Sequence, residues 1–137
     1  MTSPVLDLED AVYTKLNVAA MTTTAGATGV FNRIAPEAQA LPYCIYQWQG
    51  GGDMNITPRR SRNVVMLVKG VAETLGEAGA IDSAAEGLLH MVSLTIATGG
   101  WTTFWVARED DVAYMEVDTR GVRVYHTGGI YRIRFDK

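Results

Sequence analysis

Residues 129–137 read Gly-Ile-Tyr-Arg-Ile-Arg-Phe-Asp-Lys (GIYRIRFDK). Side chains alternate along a strand, so Tyr131, Ile133 and Phe135 share one side while Arg132 and Arg134 point to the other. One side packs, and the other is wet or meets a partner. A sheet with a single apolar side needs a covering layer, which the rest of the chain must supply.

The last third is β in character throughout. WTTFWVARE (101–109), DVAYMEVDT (111–119), GVRVYHT (121–127) and the closing run are rich in aromatic and β-branched residues, and Gly-Gly, Asp-Asp and Arg-Gly pairs punctuate them. Four short strands are expected here. Upstream, NVVMLVKGV (63–71) is apolar in both alternating sets, which places it centrally or beneath a neighbour on its second face. VFNRI (30–34) and LPYCIYQW (41–48) read as further strands, the second opened by proline at its edge.

Two segments have the helical period instead. Ser3-Pro4 supplies a cap and a first-turn proline, and Val5, Leu8, Val12 and Leu16 follow as one stripe, giving a helix that ends near Ala20. Thr74 and Glu77 have capping-box spacing, and Ile81, Ala85, Leu88, Leu89 and Val92 continue the period. Gly76, Gly79 and Gly87 weaken that helix, so tertiary packing must hold it, with small residues on its face letting it lie close to the sheet. The expected fold is α+β: a mainly antiparallel sheet with two helices packed on one face, in a single domain over 1–137. Tyr46, Trp48, Trp101 and Trp105, with the outward arginines, are expected on the open face or its margins.

Length and composition agree with one soluble core. The chain has 137 residues, 47% apolar and 20% charged, too hydrophobic for disorder. A net charge of −3 argues against a general nucleic-acid binder. No run approaches the ~18 apolar residues of a membrane span, so no membrane role is expected and synthesis in a cytoplasm-like compartment is.

The residue types of catalysis are present but not arranged for it. Cys44 lies in an apolar run and reads as a small buried hydrophobe. His90 falls near a helix end and His126 beside a glycine turn, with no cluster of acids or cysteines around them. Glu109, Asp110 and Asp111 read as a turn, because neighbouring strand residues do not converge without a bulge. Asp53 and Asn55 start a calcium-loop spacing that no downstream glutamate closes, and Gly50–Gly52 lack the lysine and helix of a phosphate cradle. No catalytic, cofactor or metal site is expected.

One stretch is left over. Residues 49–62, QGGGDMNITPRRSR, are glycine-rich and then basic, longer than a hairpin needs. Arginine pairs bidentately with carboxylates, and a negatively charged chain offers many on a neighbouring copy. This stretch is expected to be a flexible contact arm, with Trp48, Asp53, Arg59, Arg60, Arg62, Arg132 and Arg134 as interface residues.

The order of these landmarks is also familiar. A first helix with AVYTKL, then VFNRI, LPYCIYQW, a helix after VKGV and a closing HTGGIYRIRF together resemble the tail-completion proteins of long-tailed phages, also called tail terminators or tail-to-head joining proteins. The resemblance spans nearly the whole chain, with Leu41-Pro42-Tyr43 and YRIRF its most telling parts. It implies a non-enzymatic virion protein, assembled in the bacterial host cytoplasm as a hexameric ring at the head-proximal end of the tail. Such a ring stops tail-tube polymerisation and meets the head connector, and genomic DNA passes through its channel without specific binding. The alternative is a small-ligand or peptide-binding α+β module whose tryptophans line a groove.

Overall fold

The computed structural model describes residues 3–55 and 60–137. Helix α1 spans Pro4–Leu16, and Ser3 Oγ accepts from the Val5 N–H at 3.3 Å. Its stripe is buried as the period requires, with Leu8, Val12 and Leu16 all at 0% exposure. The helix stops before the expected Ala20. Ala20–Thr24 instead forms a wider π-helical turn, closed by Ala25 N–H on Ala20 C=O, that buries Met21.

Five strands follow in one sheet: β1 (Val30–Asn32), β2 (Tyr43–Asp53), β3 (Ser61–Ala72), β4 (Thr102–Val117) and β5 (Arg123–Asp136). Their spatial order is β1-β2-β3-β5-β4, every pairing antiparallel except β1 with β2. Helix α2 (Leu75–Leu89) links β3 to β4, and Thr74 Oγ1 accepts from the Glu77 N–H as the capping box requires. The architecture is the α+β fold that the sequence implies.

Both helices lie on one face. Val64, Met66 and Val68 of β3 and Tyr131, Ile133 and Phe135 of β5 meet Leu8, Val12, Ile81, Ala85 and Leu89 there in one core. The other face is open except at one corner, where Ile45, Val71 and Val124 pack under Phe31, Ala35 and Leu41. Chain from the β1–β2 connection thus covers ground expected to be bare.

The last third departs from expectation in one respect: four short runs are two long strands. Gly128-Gly129 and Asp110-Asp111 lie within the β4–β5 ladder and do not interrupt it. The glycines are there for room. A Cβ on Gly128 would stand 2.3 Å from Val68 O, and one on Gly129 would stand 2.5 Å from the Arg108 guanidinium. Likewise, the close approach of α2 to the sheet comes from the strand and not from the helix glycines. A Cβ on Gly70 would meet Ala78 O at 2.6 Å, whereas one on Gly76, Gly79 or Gly87 would meet nothing.

Opposite outcomes are therefore expected for two similar substitutions. Gly87→Ala should stabilise the fold by about 0.5–1 kcal/mol through helix propensity alone. Gly70→Ala should destabilise it by roughly 1–3 kcal/mol, because α2 must shift to admit the methyl group. Urea midpoints of the two variants check this; equal shifts would contradict it.

Candidate assembly surfaces

Arg132 and Arg134 leave the sheet opposite the helices, as the alternation demands. Arg132 Nε donates to Glu109 Oε1 at 2.7 Å, and its Nη1 donates to Asn63 Oδ1 at 2.9 Å. Arg134 stands in register with Asn63 and Trp105. Trp105 is 41% exposed, so cation, amide and indole form one half-wet patch on the open face.

The acid triplet 109–111 is not a turn. The β4–β5 register shifts between Arg108 and Asp110, so a bulge falls at Glu109 and sends its neighbours to different partners. Glu109 takes Arg132 on the open face. Arg108 turns to the helix side, where Nη1 and Nη2 donate to the two Asp82 oxygens at 2.6 and 3.2 Å and Nε to Asp111 Oδ1 at 2.9 Å. Its Nη2 also donates to Gly128 O at 2.8 Å. Burial works against this guanidinium's charge, but the bonds to Asp82 and that residue's charge outweigh it and hold the pKa above the usual value. Arg108 thereby ties α2 to the outer strand. Nothing in the spacing of the sequence singled it out.

The segment read as an arm divides in two. Gly50–Asp53 belong to β2 and pair with Arg62–Val65, and of the residues between the two strands 56–59, Arg59 among them, lie outside the described residues. Gly51 is the one glycine of the three that the ladder demands. Its φ is +103°, and a Cβ there would press on Asn63 O. Asp53 closes the hairpin, accepting Asn55 N–H at 2.7 Å and the Arg60 guanidinium at 2.9 Å. The backbone bond from Asn55 first, then the bond from Arg60, lower its carboxyl pKa. Arg60 also lies 5.4 Å from the Trp101 ring centroid, with Lys137 Nζ at 5.6 Å from the same ring. Arg62 is half-buried on β3, opposite Asp53 and Phe135.

The aromatic residues are dispersed. Tyr46 and Trp48 pack on the helix side, Trp101 is 5% exposed against Phe135, and only Trp105 of the three tryptophans is on the open face. The expected tryptophan-rich open face is therefore corrected, and no common groove joins the three. Among the described residues no group of three His, Cys, Asp or Glu is placed to hold a metal. Burial first, then the Asp82 charge, pushes the Cys44 thiol up to about 12. No described helix is long and apolar enough to cross a membrane.

His90 stands at the C-terminal cap of α2, as the sequence implies, whereas His126 does not lie at a turn. His90 Nδ1 accepts the Arg108 N–H at 3.1 Å. His126 is in mid-strand on the open face, stacked on Tyr114 at 4.4 Å, with Nε2 2.6 Å from Glu116 Oε1. Lys69 Nζ donates to the Tyr114 hydroxyl at 2.7 Å.

Both margins of the sheet are covered for half their length. On β4, Met91 N–H donates to Val106 O and His90 takes Arg108 N–H, so residues 90–94 shield the outer edge as far as Arg108. From Asp110 to Val117, β4 pairs only with β5 among the described residues. On β2, β1 and its flanks occupy the edge as far as Tyr46. From Gln47 to Asp53, β2 pairs only with β3 among the described residues.

No protein-family model matches the sequence, and no curated protein matches it. Among solved structures, the chain is similar to one in the "Virion of native gene transfer agent (GTA) particle", with 16% identity, a TM-score of 0.79 and coverage of 100% of both chains. That likeness shows a shared fold over the whole length.

The His126 cluster generates a pH dependence. Burial first, then the Lys69 charge, lowers its pKa, with Glu116 opposing. Between the lowered folded value and about 6.5 the unfolded chain holds a proton that the folded chain does not. Its stabilising contribution is thus full above about pH 6.5 and is lost as pH falls through the folded value. The urea midpoint should fall between about pH 7.5 and 5.5, and His126→Gln should remove part of that fall. Identical pH profiles for both proteins would contradict the assignment.

Proposed function

We propose that this chain is a structural subunit of a phage-like virion, closing into a hexameric ring at the head-proximal end of the tail. One face of the ring ends tail-tube polymerisation, the other meets the head connector, and the genome passes through the hole. The observation that carries this reading is the fold likeness, over the full length of both chains, to a chain of a gene transfer agent virion. The landmark order shared with tail-completion proteins points the same way.

The surfaces are suited to such a role. A head-to-tail contact uses two different patches per subunit and closes into a ring when their angle permits, and this chain has unfinished margins on opposite sides of its sheet. Six copies at −3 carry −18 in total, and an acidic ring lets duplex DNA slide by not binding it. Trp48, Asp53, Arg60, Arg62, Arg132 and Arg134, with Arg59, are the proposed contact residues between subunits or stacked rings. The work is positional and uses no cofactor.

Particles from cells lacking the gene should show tails of widely varying length beside heads without tails in negative stain, and restoring the gene should restore uniform tails. Uniform, head-joined tails in its absence would contradict the proposal.

A further inference from the structure

The two bare margins are complementary to each other. Along an antiparallel ladder, residues alternate between bonding the partner strand and pointing their N–H and C=O away from it. Val106 and Arg108 point away from β5, since Val106 O accepts Met91 N–H and Arg108 N–H donates to His90. Their β5 partners are Ile133 and Tyr131, so the same parity at Gly129, Thr127, Tyr125 and Arg123 turns Asp111, Ala113, Met115 and Val117 outward. On β2, Cys44 N–H donates to Gly29 O, and Tyr46 O accepts Arg33 N–H, both on the outer side. Continuing that parity through β3 turns Trp48, Gly51 and Asp53 outward.

We infer that the free half of β4 in one copy pairs antiparallel with the free half of β2 in the next, through residues 111–117 and 47–53. This rests on the ring reading and names its joint. Four observations favour a second copy as the occupant. The stretches are equally long, and β2 and β4 already run in opposite senses, so a like-oriented neighbour extends the sheet with antiparallel pairing. That sense lays Trp48 against Met115 and Val117, which are 47% and 58% exposed. Gly50 and Gly52 have no neighbour within 4 Å of a Cβ and present bare backbone, as a strand does where another backbone approaches.

The free half of β4 is at the opposite end of the sheet from that of β2, so each neighbour slips by about seven residues across the four strands β2-β3-β5-β4. At ~3.4 Å per residue and ~4.8 Å per strand, this slip tilts the strands by about 50° to the ring axis, somewhat more than the ~35–45° usual in closed barrels.

Ala113→Pro tests the joint. It deletes an outward N–H without touching the bonds to β5, and proline is tolerated on edge strands. Ala113→Thr keeps the N–H and serves as control. Native mass spectrometry across a concentration series, with circular dichroism to confirm the fold, should show rings for wild type and Ala113→Thr, and at least tenfold weaker assembly for Ala113→Pro. Rings from all three at equal concentration would overturn the edge pairing and leave the ring reading standing. A wild-type chain that stays monomeric throughout would overturn both.

Discussion

Backbone hydrogen bonding is the constraint on which this molecule turns. Every strand residue has a donor and an acceptor that must be satisfied, and a sheet edge is where satisfaction runs out. Here the chain covers its margins part of the way, with β1 and its flanks on one side and residues 90–94 on the other. It then stops, leaving Gln47–Asp53 and Asp110–Val117 bonded on one side only among the described residues. A monomer gains nothing from such edges. A subunit that must join its copies in one orientation does, because each edge carries its own charge and apolar pattern.

The interior holds those edges firmly in place. Tyr131, Ile133 and Phe135 anchor β5 under the helices, and β4 hangs on β5 along its whole length. Arg108 then fastens β4 to α2 through Asp82, so the outer strand is fixed from both the sheet and the helix layer. Removing one partner of such a half-buried pair costs far more than an exposed pair is worth, typically about 3–5 kcal/mol where burial is complete. The bulge at Glu109 makes this possible, since it lets consecutive charged residues serve opposite faces.

Much of this was legible in the residues themselves. The alternation at 131–135, the stripe Leu8-Val12-Leu16 and the Thr74 cap each place a side chain by local geometry, and each is where local geometry puts it. What was not legible depends on distant partners. Gly128 and Gly129 look like a turn until Val68, Lys69 and Arg108 are seen to crowd them. Asp110-Asp111 look like a turn until the β5 register is known, and Gly50–Gly52 look like a loose arm until β3 claims them. Of the expected contact residues, Arg132 and Arg134 share the open face. Asp53 and Arg60 bond each other at the hairpin end, and Trp48 lies on the helix side.

What happens at the two margins when copies meet is the decisive property of this chain. Residue-resolved hydrogen exchange, compared between dispersed and assembled protein, reads those margins directly. Slowed exchange on assembly at Asp111, Ala113, Met115 and Val117, together with Trp48, Gly51 and Asp53, is the expected result. Protection confined to α1 and α2, with both edges exchanging as fast as in the dispersed chain, would contradict it.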